Sequence, residues 1–319
     1  MINFGIVGLG NIAHRVAKGI VCSNQANLYA VASRNKEKAE IFKETYAAKV
    51  AYGSYDNLLC DPQIDVVYIC TPNQFHYEQI KMCLEFGKHV MCEKPMVETQ
   101  KQVKELFELA RNKKCFLMEA QKTMFTPLNE KIKCLIDQGM IGKLCTIRAE
   151  FSNDVLKDVE SDHWVLEKNM GGASYDIGGY PISVSHFFAG AKIKEFYVEK
   201  ISHPDYECDF GIKADVFYEN GVYSCLESNW FYTPENKGKA ILIGTDGYIE
   251  IPAFWKSNKA YLYKNGLKEE ISVEMESDFE GEVSHVANCV ENGILESPIL
   301  GEEMSLAIIK ILENSIAMK

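Results

Sequence analysis

Near the start of the chain, Gly8-Leu9-Gly10-Asn11-Ile12-Ala13 forms a G-x-G-x-x-A turn. Its chemistry is anion binding by the backbone. The first glycine permits a tight turn, the second lets the backbone approach a pyrophosphate, and a small third residue lets a helix pack on a strand while its N-terminal N–H groups face the charge. The motif is specific only between a strand and a helix. Here the apolar run Ile2 to Val7 precedes it, and Ile12, Val16, Ala17 and Ile20 recur at helical spacing after it. Gly8, Gly10, Asn11 and Ile12 are therefore read as dinucleotide contacts, with an ordinary tight βα turn as the alternative.

The tip of the second strand reads Ala32-Ser33-Arg34. An acidic residue there would accept hydrogen bonds from an unphosphorylated ribose. Ser33 and Arg34, with Lys38 one helical turn on, can instead donate to a 2′-phosphate. That favours NADP over NAD. The other reading leaves Arg34 and Lys38 solvated, or paired with Glu37 or Glu40. Thr71-Pro72-Asn73-Gln74-Phe75-His76 follows the fourth strand and Glu93-Lys94-Pro95 the fifth. Both fall at carboxyl ends of strands beside the point where strand order reverses, where ligands bind in open α/β sheets. A lone His at a helix start, as His76 is, also serves as a cap or core residue. No metal is implied, because His163 and His186 lack ligands at zinc-like spacing and no C-x-x-C occurs.

The elements that must hold these residues alternate through the first 120 positions. Strands are expected at Ile2 to Val7, Leu28 to Ala32, near Val50, Ile64 to Cys70, Lys88 to Cys92 and Cys115 to Met118. Helical periodicity separates them at Asn11 to Val21, Lys36 to Tyr46, Phe75 to Phe86 and Gln100 to Asn112. Apolar strands between amphipathic helices imply a doubly wound parallel sheet of order 3-2-1-4-5-6. Beyond Glu119 the pattern changes to eight strand-like runs: Cys145 to Phe151, Glu195 to Ile201, Ile212 to Tyr218, Val222 to Trp230, Ala240 to Ile243, Tyr248 to Ile251, Ala260 to Tyr263 and Glu269 to Val273. Asn220-Gly221, Asp246-Gly247 and Asn265-Gly266 mark hairpins between some of them. Helices at Leu128 to Asp137, Ser174 to Phe188 and Phe279 to Asn292 interrupt this mostly antiparallel sheet. The fold class is thus an N-terminal Rossmann domain, 1–120, followed by an α+β domain for substrate binding and oligomerisation, 121–319. A terminal helix is expected at Glu302 to Met318, whose apolar residues fit a period of 3.6. One face of the large sheet then needs cover, which points to a homodimer or higher homo-oligomer.

Composition excludes several classes. Thirty-four Lys and Arg against 45 Asp and Glu leave a net charge of −11, which repels nucleic acid and anionic lipid. No apolar run approaches the ~20 residues that span a bilayer, so no membrane association is expected. The first residues do not read as a secretory signal and the eleven cysteines read as buried and reduced, which together indicate a cytoplasmic protein.

With the glycine turn, T-P-N-x-x-H, E-K-P and Gly171-Gly172-x-x-x-Asp176-x-Gly178 in this order, the whole chain resembles the Gfo/Idh/MocA oxidoreductases. Phe116-Leu117-Met118-Glu119-Ala120, Gly139-x-x-Gly142 and Arg148-Ala149-Glu150-Phe151 are most similar to its dihydrodiol dehydrogenase and NADP-dependent D-xylose 1-dehydrogenase branch. The resemblance implies that Lys94 lies beside the nicotinamide and the reacting hydroxyl, with Thr71, Pro72, Asn73, His76 and Glu93 toward the cofactor. Tyr180, where many members have His, is implied as the acid/base, and the terminal helix, Glu302 to Met318, is implied to return to the first domain. Four residues apart on a helix, Asp176 and Tyr180 share a face. A phenol of pKa ~10 suits proton transfer at neutral pH only beside a cation. The working set is therefore Tyr180 as relay, Lys94 as electrostatic partner and Asp176 as hydroxyl orienter, with Lys94 and Tyr180 meeting from different domains. A core tyrosine with an incidental Asp is the alternative. His163 and Trp164 are candidates for a sugar-facing loop, or equally for a loop anchor. Related enzymes carry Trp and Arg where this chain has Gln121-Lys122-Thr123-Met124, which counts against aromatic diols. The implied reaction is hydride transfer between NADP, or NAD, and a secondary alcohol of a sugar or cyclic diol. Competing classes are an NAD-using glycoside hydrolase, which shows no net cofactor reduction, and a non-catalytic nucleotide-binding regulator.

Overall fold

The computed structural model describes residues 1–160, 162–168 and 171–314. The first elements are β1 (Ile2–Val7), α1 (Asn11–Cys22), β2 (Ala26–Ala32), α2 (Lys36–Tyr46), β3 (Val50–Tyr52), α3 (Tyr55–Leu59), β4 (Val66–Ile69), α4 (His76–Glu85), β5 (His89–Glu93), α5 (Gln100–Lys113) and β6 (Leu117–Ala120). Their strands form an all-parallel sheet of order β3-β2-β1-β4-β5-β6. Strands such as Val66–Ile69 are buried at every position because helices cover both faces. Short α3 has no long apolar stripe; the Ser54 side chain, which accepts from Asn57 N, starts it.

The second series is α6 (Pro127–Asp137), β7 (Leu144–Ser152), a π turn (Ser174–Gly178), α7 (Gly179–Ala189), β8 (Ile193–His203), β9 (Tyr206–Tyr218), β10 (Tyr223–Asn229), β11 (Gly238–Gly244), β12 (Tyr248–Pro252), β13 (Lys259–Lys264) and β14 (Leu267–Ser272). These eight strands pair in the order β14-β13-β12-β11-β7-β10-β9-β8, antiparallel throughout except β7 with β10. The fold is therefore a Rossmann sheet joined to a large, mostly antiparallel one. At the Asn265-Gly266 hairpin both residues have positive φ, 53° and 75°, as a two-residue primed turn requires.

Two elements differ from the periodicity. Strand β9 begins at Tyr206, six residues before Ile212, because 208–212 are all buried and lack the alternation that marks a half-exposed strand. The segment from Ser174 opens as a π turn before α7, so Asp176 lies in the π turn and Tyr180 in regular helix.

The chain divides into two compact units, one of Met1–Phe125 with Glu276–Leu306, the other of Thr126–Met275 with the chain from Ala307. A single division near residue 120 does not foresee this return, since α8 (Glu280–Glu291) is as amphipathic as a second-domain helix would be. Its residues Val283, Val286 and Ala287 are fully buried, and it packs on α1 in the first unit. The last helix, α9 (Glu302–Asn314), straddles the division; the rest of the expected Glu302 to Met318 helix lies outside the described residues. No helix among the described residues is long and apolar enough to cross a membrane. Of the cysteines, Cys70, Cys83, Cys92, Cys115, Cys208 and Cys289 are buried, while Cys60, Cys134, Cys145 and Cys225 are exposed, contrary to a uniformly buried set. Cys145 lies where the register between β7 and β11 shifts, and Cys225 at an outward position of β10.

Close approach seats α8. A side chain at Gly281 would collide with the Phe125 carbonyl oxygen, and one at Gly19 would lie 2.7 Å from Phe279 Cβ. Gly281→Ala should therefore destabilise the protein by roughly 1–3 kcal/mol, as overpacking does. The check is thermal melting, and an unchanged midpoint would show that this helix has room to shift.

Candidate active site

The glycine turn has the shape that its sequence requires. Gly8 adopts φ +89°, and a Cβ there would stand 2.9 Å from both Cys70 O and Thr71 Cγ2. Gly10 is exposed, a Cβ there would meet nothing within 4 Å, and no side chain caps α1 at this position. Uncapped N–H groups at a helix start beside open space fit a dinucleotide pyrophosphate. Ala13 is fully buried, Asn11 is exposed and Ile12 is half-buried. At the β2 tip Ser33 Oγ accepts from Asn35 N at 3.2 Å, and Arg34 and Lys38 are exposed. Glu40 is held by Lys36 at 2.9 Å and Lys43 at 2.6 Å, so its carboxylate is engaged on α2 rather than with Lys38.

The two loops after β4 and β5 are tied together by His76. It is fully buried, with Nδ1 3.0 Å from Pro95 O and Nε2 2.8 Å from Thr71 O. Burial lowers its pKa, and the nearby Lys94 charge lowers it further, against the pull of the two carbonyls. The imidazole thus sits between the two loops, and in its neutral form its one N–H donates to one of the two carbonyls. Thr71 Oγ1 donates to Gln79 Oε1 at 2.6 Å, Pro72 is half-buried, and Asn73 is buried in a 3₁₀ turn, 73–75, ahead of α4. Glu93 is buried, its Oε1 accepting from Tyr68 OH at 2.6 Å and its Oε2 from Lys94 N at 3.2 Å. Glu119, on β6, accepts from Met96 N at 3.1 Å and Ser305 Oγ at 3.2 Å. Burial raises the pKa of both carboxyl groups, and the Lys94 charge opposes that rise in each. The first unit thus gathers Lys94, Glu93, Glu119 and His76 around one strand end.

In the second unit Asp176 and Tyr180 are half-buried on one continuous helical segment. The Tyr180 ring stands edge-on to Phe151 at 5.2 Å and 6.4 Å from Trp255, and those two rings stack at 3.8 Å and 6°. The Trp255 loop is fixed to α6 through Asn129 Nδ2, which donates to Phe254 O at 2.8 Å. Nothing in local spacing signals Trp255, which comes from a loop 75 positions beyond Tyr180. His163 Nδ1 accepts from Val165 N at 3.3 Å and its ring lies 5.6 Å from Trp164, so the pair starts a short 3₁₀ turn and both remain half-buried. No group of His, Cys, Asp and Glu among the described residues could hold a metal ion.

An ionic cluster, buried at Lys122 and Glu282 and open to solvent at Arg15, lies in the first unit beside the end of β6. Asp278 pairs with Lys122 and, at 2.5 Å, with Arg15, and both cations also lie over the Phe279 ring. Burial pulls the pKa of Lys122 down to about 8. Glu282 is 1% exposed, neither carboxyl oxygen has a hydrogen-bond partner among the described residues, and burial holds its pKa well above the usual carboxylate range, with Glu93 adding to the rise. A carboxyl raised on folding stabilises the fold fully below its unfolded pKa, and that contribution is lost as pH climbs through the folded value. Replacing it with an uncharged isostere removes the loss. Glu282→Gln should match the wild type in stability near pH 4 and exceed it increasingly toward alkaline pH, as measured by melting across the range. A pH-independent difference would show that Glu282 stays charged.

With this geometry in place, comparison with known proteins defines the class. Residues 2–121 match the model of the oxidoreductase family with an NAD-binding Rossmann fold, and 129–250 that of the GFO/IDH/MocA C-terminal domain. The chain belongs to the Gfo/Idh/MocA oxidoreductase family and is an NAD(P)-binding dehydrogenase acting on CH–OH groups. Trans-1,2-dihydrobenzene-1,2-diol dehydrogenase of Xenopus laevis is 32% identical over 326 residues, covering 98% of this chain and 96% of its own. The mouse enzyme (Mus musculus) of the same name is 30% identical over 329 residues with the same coverage. Among solved structures, a 3-ketoreductase from Actinomadura kijaniata in complex with NADP and TDP-benzene aligns with a TM-score of 0.84 at 25% identity, covering 98% and 96% of the two chains. An aldose-aldose oxidoreductase from Caulobacter crescentus complexed with glycerol shares the fold, with a TM-score of 0.88 at 21% identity and the same coverage.

Proposed function

We propose that this enzyme prefers NADP and transfers a hydride between the nicotinamide and a secondary alcohol carbon of a sugar or cyclic diol. One observation carries the reading: Lys94 follows a buried carboxyl at the end of β5, in the unit that holds the open glycine cradle, in a chain that also presents Asp176 and Tyr180 on one helical segment. The nicotinamide, when bound, supplies the hydride acceptor or donor. The protein's own groups handle the proton. In oxidation the Tyr180 oxygen takes the proton from the substrate hydroxyl, and in reduction it returns one to the carbonyl oxygen. Lys94 contributes the positive charge that favours the phenolate, and Asp176 orients the substrate by accepting from a hydroxyl next to the reacting one. Glu93 and His76 act on Lys94 through the loops that they hold, and Thr71, Pro72, Asn73, Gly8, Gly10, Asn11 and Ile12 line the cofactor's side. The 3-ketoreductase of similar fold was determined with NADP in forms with a lysine changed to alanine or glutamate and with a tyrosine changed to phenylalanine, the two residue types that this scheme uses.

NADP preference rests on the β2 tip, where no carboxylate follows Ala32 and the exposed Arg34 is available to a 2′-phosphate. His163 and Trp164 belong to the substrate side. The assembly is a homo-oligomer through the outer face of the large sheet, whose inner face packs on α7. That outer face exposes Tyr197, Phe217 and Tyr248 together with Arg148 and Cys225. The cytoplasm is the proposed location.

Arg34→Asp should reverse the cofactor preference, with NADP affinity falling roughly tenfold or more. Titration of both cofactors against both proteins checks this, and equal affinity of the wild type for NAD and NADP would remove the assignment. Tyr180→Phe should lower turnover by about 10² to 10⁴ while leaving NADP binding nearly unchanged. A screen of aldoses, inositols and cyclic diols, followed by nicotinamide absorbance, supplies the substrate for that measurement. Near-normal turnover in Tyr180→Phe would leave Lys94 as the acid/base.

A further inference from the structure

The π turn that carries Asp176 is held from outside its own segment. Ala173, which precedes it, contributes no side-chain cap. Its place is taken by Asp209 of β9, 35 residues along the chain, whose Oδ1 accepts from Ser174 N at 2.8 Å and whose Oδ2 accepts from Ser174 Oγ at 2.7 Å. The same Oδ2 accepts from Lys200 Nζ of β8 at 3.0 Å. The carboxylate is 8% exposed, and Gly172, at φ +88°, packs so closely over it that any side chain there would collide with Oδ2. At the other end of the turn Ser228 Oγ of β10 donates to Ile177 O at 3.4 Å, and a Cβ on Gly178 would lie 3.0 Å from Ile212 Cγ2.

Each of these contacts has a physical role. A hydrogen bond from a backbone N–H to an ionised carboxylate is about twice as strong as a neutral one, and burial strengthens it further. Lys200 balances the charge, which would otherwise be costly to bury. A single-turn π segment has weaker internal bonding than an α-helix and is found where a helix must place one residue off the regular register. Two strands of the sheet therefore determine where the turn begins and ends, and so where its residues fall relative to α7.

We propose that Asp209 is a positioning residue of the active site: with Lys200 it anchors the π turn at Ser174 and so sets the register in which Asp176 and Tyr180 are presented. This rests on the catalytic reading of Asp176 and Tyr180 above. Asp209 touches neither substrate nor cofactor in this scheme. The cofactor cradle lies in the other unit, so disturbing Asp209 should alter turnover without altering NADP affinity.

The test compares Asp209→Ala, Asp209→Asn, Ser174→Ala and Tyr180→Phe with the wild type. Oxidation of D-xylose or trans-cyclohexane-1,2-diol with NADP, whichever the wild type turns over faster, is read as kcat and KM. NADPH affinity by fluorescence and hydrogen–deuterium exchange of peptides covering 171–180 complete the set. Asp209→Ala should lower kcat at least tenfold with KM changed less than threefold, leave NADPH affinity within twofold, and speed exchange across 171–180. Asp209→Asn keeps an acceptor for Ser174 N and should recover most of the kcat. Wild-type kcat in folded Asp209→Ala, or unchanged exchange in 171–180, overturns the proposal. Ser174→Ala loses the hydroxyl bond to Oδ2 and should lower kcat severalfold with faster exchange across 171–180; should Asp209→Ala fail to fold, wild-type kcat and exchange in Ser174→Ala overturn the proposal equally. The Tyr180→Phe control separates the two claims: full turnover there overturns the catalytic reading, whereas a loss there with none in the Asp209 and Ser174 variants overturns the positioning role alone.

Discussion

A carboxyl group sealed from water at the end of a parallel strand constrains everything around the first unit's site. An ionised carboxylate removed from water without partners costs several kcal/mol, so each oxygen must be met by a donor or the group must hold a proton. Glu93 meets that demand with Tyr68 on one oxygen and the Lys94 backbone on the other. The second contact ties the carboxyl to the peptide that carries the candidate catalytic lysine. Glu119 does the same for Met96, two residues on, and His76 joins this loop to the one after β4. Lys94 is thus placed by a set of buried polar bonds rather than by packing alone.

The second unit solves a similar problem differently. Asp209 is also buried, yet its donors come from a helix start and a neighbouring strand, so its satisfaction orients a helical segment instead of a loop. Tyr180, further along that segment, meets the stacked pair Phe151 and Trp255. Edge-on aromatic contact fixes the ring plane while leaving the hydroxyl end to polar partners. Helix register and ring orientation are therefore governed by separate contacts.

The stretch Gln121 to Met124 is buried throughout. Lys122 does not open toward solvent; it joins Arg15 on Asp278 close to Glu282. A cation there makes the interior beside β6 polar and dependent on protonation, where a Trp would contribute apolar area.

Sequence alone determined what depends on neighbours along the chain. The strand and helix alternation, the sheet order, the glycine turn and the hairpins at Asn220, Asp246 and Asn265 follow from periodicity and from turn residues whose backbone demands are local. Motif order and the spacing of two residues on a helix single out Lys94, Asp176 and Tyr180 as candidates. Tertiary structure alone decided the return of α8 to the first unit, the π register at Ser174, the aromatic support from Trp255 and the burial of Glu282. The physical reason is common to all four. Each depends on a contact made far along the chain, and neither an amphipathic stripe nor a charged side chain specifies its partner. Asp209 shows this most directly: in sequence it interrupts an apolar run, and only the arrival of Ser174, Gly172 and Lys200 around its carboxylate gives it a role.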